Sequence, residues 1–325
     1  MRKTQILAVV GSTASGKSAL ALALAERLGG EIISCDSMQV YRRMDIGTAK
    51  PTAEEQRRVR HHLIDVVEPT EDFSCADYVA LAASAVDDCA QRGKLPIVCG
   101  GTGLYLDALL RQNDFADVGA DDSVRQALWA IAEKQGAEAL WQELKCVDAE
   151  SAAAIHPNNV KRVVRALEIY RSCGITKTEL DRRSQEGGMR YDACVLGLRY
   201  QDREALYRRI EERVDRMLAD GLVTETCNLW EAGVFDVNRT AAQAIGYKEL
   251  LPFLRGEQTL SEASEVLKLA TRRYAKRQMT WFGAKEYVRW IDVQDDLEEK
   301  KQKTFEEIVN ITAELFQNCE KYDIM

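Results

Sequence analysis

The chain has 325 residues and 46% hydrophobic content, enough for one large domain or two modest ones with a buried core, and no apolar run approaches the roughly 18 residues a membrane helix needs. A net charge of −8 argues against general affinity for nucleic acid. Nine scattered cysteines with no CxxC pair, and three histidines, complete no zinc pattern or disulfide framework and predict reduced thiols in a cytoplasmic protein.

The first residues run directly into a glycine loop, so residues 6–10 read as a short buried parallel strand and not as a secretion signal. Gly11-Ser12-Thr13-Ala14-Ser15-Gly16-Lys17-Ser18 matches GxxxxGK[ST], and residues 18–28 read as a helix stopped by Gly29-Gly30. Strand, glycine loop and helix form the setting in which successive N–H groups and a helix N-terminus cradle a phosphate. Lys17 adds a point charge and Ser18 a hydroxyl for Mg²⁺. ATP is the default occupant of such a loop. Residues 31–34 form a second strand, which delivers Asp36, Ser37, Met38 and Gln39 to the same rim, where open α/β sheets bind ligands.

Residues 52–60 read as a charged helix, His61-His62-Leu63-Ile64-Asp65 follows, and a helix runs from about Ser74 to Gln91. Residues 95–99 form a third buried strand ending in Gly100-Gly101-Thr102-Gly103. Nucleotide hydrolases often carry an acidic Mg²⁺ ligand at that place. Its replacement by glycines and threonine leaves nothing obvious to orient a hydrolytic water, and suits either close approach of a flat substrate or a plain tight turn. From about Asn113 to Tyr191 helix formers dominate, and a strand at residues 194–198 follows. The expected organisation is an α/β core (1–112), a helical insertion (113–193) with Gly187-Gly188 as a hinge, and core completion with C-terminal helices (194–325). In the last part, helices are expected at 203–220, 222–231, 240–254 and from the capping box Thr259-Leu-Ser-Glu262 toward Phe282, then a strand at 288–291 and an acidic helical tail.

Charge is distributed unevenly along this plan. Residues 113–150 carry nine acids against three bases, whereas residues 272–285 carry five bases and no acid, so a polyanion could bind locally. On a helix beginning near His156, Lys161, Arg162 and Arg165 flank an apolar stripe of Val160, Val163, Val164 and Leu167, which on its own reads as a solvated basic face. Residues 271–282 mix basic and aromatic side chains that could grip phosphates and stack on bases, although Trp281 and Phe282 could equally be core. Asp36 is placed to act as a general base, or to cap a helix, or to assist Mg²⁺. Arg209 and Arg213 share a helix face and could close over a diphosphate or pair with Glu212. The polar stretch from Tyr41 to Pro51 reads as an ordinary loop.

Taken together, GSTASGKS (11–18), DSMQVYRRMDIGTAKP (36–51), HHLID (61–65), GGTGLYL (100–106), HPNNVKRVVRALEIY (156–170), AIGYKE (244–249) and TRRYAKRQMTWF (271–282) resemble the motifs of the bacterial tRNA dimethylallyltransferases, in the same order and over most of the chain to about residue 292. Ser12 departs from that pattern, which usually has proline there. The resemblance implies an α/β fold with a P-loop kinase-like core, its parallel sheet flanked by helices, plus an all-helical insertion. It implies transfer of a dimethylallyl group from dimethylallyl diphosphate to the exocyclic amine of the adenosine 3′ of the anticodon, in tRNAs reading codons that begin with U. Gly11, Ser12, Thr13, Ala14, Ser15, Gly16, Lys17, Ser18, Arg209 and Arg213 are then expected to hold the diphosphate, with Mg²⁺ on Ser18. Asp36, Lys17, Ser18 and Thr102 are expected to serve catalysis. The tRNA anticodon stem-loop is expected to meet Asp36, Ser37, Met38, Gln39, Thr102, Arg125, Lys161, Arg162, Val163, Val164, Arg165, Ala244, Ile245, Gly246, Tyr247, Lys248, Lys276, Arg277, Gln278 and Trp281. The expected enzyme is a cytoplasmic monomer. A small-molecule kinase using ATP, a prenyltransferase acting on free adenine nucleotides, and a non-catalytic tRNA-binding protein are the competing readings.

Overall fold

In the computed structural model, residues 3–111 and 122–293 are described, together with residues 306, 307, 309, 310 and 316. Six strands, β1 (Gln5–Gly11), β2 (Gly30–Ser34), β3 (His61–His62), β4 (Leu95–Gly100), β5 (Asp192–Tyr200) and β6 (Val288–Val293), pair in parallel in the order β3-β2-β4-β1-β5-β6. β1 lies between β4 and β5, with Leu7 paired to Ile97 on one side and to Cys194 on the other. A central strand of this kind is buried on both faces, and Ile6 to Val10 are accordingly buried. After β1 the chain turns to one half of the sheet, and after β4 it crosses to the other. The carboxyl end of β1 is therefore the switch point at which such sheets bind ligands.

Helices cover the sheet: α1 (Lys17–Leu28), α2 (Ala53–Arg58), α3 (Cys75–Gln91) and α4 (Gly103–Leu110) in the first half of the chain. Ser74 and Asp77 form a reciprocal capping box at the start of α3, as Thr52 and Glu55 do for α2. α1 buries Leu20, Ala21, Leu24 and Ala25 against a core shared with Leu7, Ile97 and Leu196.

A second compact unit spans Ala108–Arg190. It holds α5 (Asp122–Gln135), α6 (Ala137–Val147), α7 (Ala149–Ala154), α8 (Val160–Cys173) and α9 (Lys177–Glu186) around Leu128, Leu140, Leu144, Val163 and Leu167. Its two chain ends meet: Arg190 N donates to Leu110 O at 2.7 Å, and Arg111 bridges Met189. This closure sets the boundary inside α4 and before β5, instead of at residues 113 and 193.

The chain then forms α10 (Arg203–Ala219), α11 (Leu222–Glu231), α12 (Val234–Val237), α13 (Leu251–Leu254) and the long α14 (Leu260–Gly283), which opens with the Thr259–Glu262 capping box. The helix expected over residues 240–254 is not one helix. A 3₁₀ turn at Ala241–Gln243 gives way to an extended Ala244, Gly246 sits at φ 107°, and only Leu251–Leu254 is helical. Helix propensity loses here to the burial of Tyr247 and Leu250 in a core with Val40, Met44 and Leu222. Most of the expected acidic tail lies outside the described residues, but Val309 and Phe316 are buried in the core cluster with Leu24 and Ile97.

Candidate active site

The glycine loop leaves β1 at Gly11 and turns through Ala14 at φ 61° and Gly16 at φ 91° before α1 begins at Lys17. Gly16 caps α1 without a side chain, which leaves the first N–H groups of the helix, at its positive end, for an anion. The loop is tied from several directions. Ser15 N and Lys17 Nζ donate to Ser12 O at 3.3 and 3.2 Å. Arg209 Nε donates to Ala14 O at 3.1 Å, and Gln278 Oε1 accepts from Thr13 N at 2.8 Å. Ser12 and Ser15 are buried, and the Ser15 hydroxyl has no partner among the described residues. An acceptor held in the loop would satisfy it.

A cleft of about 200 Å³ opens beside the loop, lined by Lys17, Ser18, Arg209, Glu212, Arg213 and Arg216 among others. Arg209, Arg213 and Arg216 stand at i, i+4 and i+7 on α10, one face of the helix. Burial pushes the Lys17 ammonium down from its usual range, with Arg213 adding to that and the charges of Cys99 and Asp36 opposing it. Burial likewise lowers Arg213, against the pull of Asp36. Cations desolvated in this way favour an anion beside them. Arg216 was missed from sequence, although its spacing from Arg213 was a usable signal.

At the end of β2, Asp36 lies close enough to act on the charges of Lys17 and Arg213. Its Oδ1 accepts from Met38 N at 2.9 Å, which fixes the carboxylate. Thr102 joins the β2 and β4 ends: its N donates to Cys35 O at 3.1 Å, and its Oγ1 accepts from Ser37 N at 3.1 Å. Tyr274 of α14 belongs here too. Its phenol is pushed upward by burial and by the Asp36 charge, against the pull of Thr102, while the Arg277 guanidinium lies 5.5 Å over its ring. The strand-end glycines make room for protein and not for a flat substrate. A Cβ on Gly100 would fall 2.0 Å from Cys35 O, one on Gly101 would fall 2.0 Å from Gln278 Nε2, and one on Gly103 would fall 2.2 Å from Trp281 Cδ1.

Several residues expected to face tRNA have other roles. Ala244 and Tyr247 are buried, and Gln278 is buried while bridging Thr13 N and Gly101 O, so these side chains build the site from behind. Lys276 and Arg277 are exposed on α14, Trp281 is half exposed with the Lys285 ammonium 5.0 Å over its ring, and Ile245 and Lys248 are half buried. In the second unit, Val163 and Val164 belong to its core, because the apolar stripe of α8 turns inward. Lys161 and Arg162 are exposed on the opposite face. Arg125 and Arg165 both pair with Glu168, at 2.9 and 3.1 Å, and Glu168 is buried.

The scattered cysteines and histidines predicted no metal cluster, yet the fold gathers Glu31, His62 and Cys89. His62 Nε2 is 2.7 Å from Glu31 Oε2, and Cys89 Sγ is 3.6 Å from both. Arg92 occupies both oxygens of Glu31, at 2.5 and 2.7 Å. The Arg92 bonds hold the Glu31 carboxyl at about 2, and burial pushes the Cys89 thiol to about 11. A cation already fills the carboxylate and the thiol keeps its proton, so the group is an ion-pair network at the amino end of β2, away from the glycine loop.

A GxxxxGK[ST] glycine loop at the switch point of a parallel sheet, with a carboxylate at its rim and no acidic residue at positions 101–106, defines a P-loop α/β protein of the group-transfer kind. The chain belongs to the IPP transferase family, whose sequence model matches residues 39–285. It is 48% identical over 309 residues to a tRNA dimethylallyltransferase of Geobacillus thermodenitrificans, a match covering 95% of this chain and 96% of that protein. A full-length tRNA isopentenylpyrophosphate transferase from Bacillus halodurans superposes with a TM-score of 0.72 at 44% identity, covering 99% of this chain and all of that one. A eukaryotic dimethylallyltransferase acting on tRNA superposes with a TM-score of 0.83 at 29% identity, covering 97% of this chain and 80% of that one.

Proposed function

We propose that this enzyme transfers a dimethylallyl group from dimethylallyl diphosphate to the exocyclic amine of the adenosine 3′ of the anticodon in tRNA, and releases diphosphate. The observation that carries the reading is Asp36, a fixed carboxylate whose charge reaches both Lys17 of the glycine loop and Arg213 of the cleft. A base beside a diphosphate grip fits amine alkylation, in which the adenosine nitrogen bonds to the allylic carbon as its bond to the diphosphate oxygen breaks. Asp36 takes the amine proton. Lys17, Arg209, Arg213 and Arg216 receive the developing charge of the leaving group. Thr102 and Ser37, joined by their own hydrogen bond, orient the base, which must leave its stack to reach them.

The Ser18 hydroxyl fits Mg²⁺, because it offers a hard oxygen at the start of α1 beside the cleft, and this ion takes few protein ligands alongside phosphate oxygens and water. When bound, the ion neutralises charge on the diphosphate. The RNA-facing side chains in this reading are Lys161, Arg162 and Arg165 of α8 and Lys276, Arg277 and Trp281 of α14. A monomer in the cytoplasm, where tRNA is available, completes the reading. Incubating the protein with unmodified tRNA, Mg²⁺ and dimethylallyl diphosphate, followed by mass spectrometry of the nucleosides, is expected to show one dimethylallyl addition to adenosine. Label transfer from ATP to a small metabolite without tRNA would instead support a kinase.

A further inference from the structure

The polar stretch 41–51 is no ordinary loop. Arg43 and Ala49 sit in the left-handed region at φ 64° and 46°, a conformation non-glycine residues hold only when their surroundings impose it. Two buried or half-buried charges do so. The Lys50 ammonium donates to Tyr41 O at 2.6 Å, Asp45 Oδ1 at 2.7 Å and Asp65 Oδ1 at 2.5 Å. From α11, the Glu225 carboxylate accepts from three consecutive backbone groups, Asp45 N at 3.0 Å, Ile46 N at 2.9 Å and Gly47 N at 3.1 Å, and from Tyr247 Oη at 2.7 Å. Tyr247 is fully buried, and a Cβ on Gly47 would lie 2.5 Å from its ring.

The loop passes this constraint on. Thr48 O and Ala49 O accept from Gln39 Nε2 at 3.2 and 3.1 Å, and Gln39 Oε1 accepts from Ser34 Oγ at 2.8 Å. Gln39 and Ser34 bracket Asp36, whose own carboxylate is tied to Met38 N. We propose that Glu225 is a positioning residue for the prenyl-transfer step: it anchors residues 45–47 and, through Gln39, sets the placement of the Asp36 segment. The proposal rests on the reading of Asp36 as the base. It explains why the AIGYKE motif is present although Tyr247 faces inward.

Glu225→Gln keeps the size of the side chain but turns one acceptor oxygen into a donor facing backbone N–H groups. A misplacement of about 1 Å can cost on the order of a hundredfold in rate. Steady-state assays with unmodified tRNA and dimethylallyl diphosphate are expected to show kcat lower by about tenfold or more, with KM for the diphosphate within about twofold of wild type. In the Asp36→Ala background the same substitution is expected to have little further effect, because the positioned group is gone. Tyr247→Phe removes one contact and is expected to lower kcat by about threefold without moving that KM; it decides the matter if Glu225→Gln fails to fold. Full kcat in both variants, or a full multiplicative loss in the Asp36→Ala background, would overturn the proposal. An inactive wild-type enzyme would refute the reading of function instead.

Discussion

A carboxylate acts as a base only where its proton donor is brought to it, and the Asp36 carboxylate accepts from the backbone N–H of Met38. Asp36→Ala is expected to lower turnover by about 10²- to 10⁴-fold while tRNA binding persists, as checked by single-turnover assay and filter binding side by side. Near-normal turnover in that variant would remove Asp36 from the chemistry. The places of Asp36, Lys17, Ser18 and Thr102 at the strand ends were legible in sequence because each follows an apolar run or sits in a motif whose spacing implies its position. Glu225 and Tyr247 were not legible in their roles. The three N–H groups that Glu225 receives lie about 180 residues earlier in the chain, and no local pattern announces such a pairing. Gln278 failed for the same reason, since its partners Thr13 and Gly101 belong to two other strand ends.

Among the elements, the Thr259–Glu262 capping box and the strand runs were read well because they are decided by neighbours a few residues apart. The segment 240–254 was misread because its conformation answers to the buried Tyr247 and not to its own propensities. α8 divides its two faces cleanly: Val163 and Val164 inward, Lys161 and Arg162 outward. Lys161→Ala is therefore expected to reduce the slope of log affinity for tRNA against log salt by about 0.7 to 0.9, one phosphate contact's share, with no change in melting temperature. Arg165→Ala is also expected to weaken binding with a shallower salt dependence, but it disturbs the Glu168 pair as well. At the amino end of β2, the Glu31 carboxyl is held at about 2 against an ordinary 4.5. A carboxyl depressed on folding stabilises the native state above its unfolded value, and that contribution is lost as pH falls from 4.5 toward 2. Thermal melts across that interval are expected to show a steeper loss for wild type than for Arg92→Met, which has less of the contribution to lose.

For the whole molecule, the hydrogen bond from Arg190 N to Leu110 O brings the two ends of the helical unit together. Replacing residues 112–188 by a short glycine-serine linker is expected to leave a folded sheet-bearing unit. Inorganic diphosphate with Mg²⁺ should still raise its melting temperature, by an amount equivalent to about 2.7 kcal/mol at a hundred times the dissociation constant. Affinity for tRNA should fall, because the exposed face of α8 is lost. Absence of the diphosphate-induced shift would mean that the helical unit is needed to form the glycine loop.

Gln278 gives the order of synthesis a meaning. The glycine loop is made before β5, which pairs with β1 at Leu198 opposite Gly11, and before Gln278, whose side chain accepts from Thr13 N. A chain released before residue 278 carries the phosphate motif without the amide that holds its backbone. A chain that lacks residue 278 is therefore expected to bind inorganic diphosphate more weakly than one that contains it, although its glycine motif is intact.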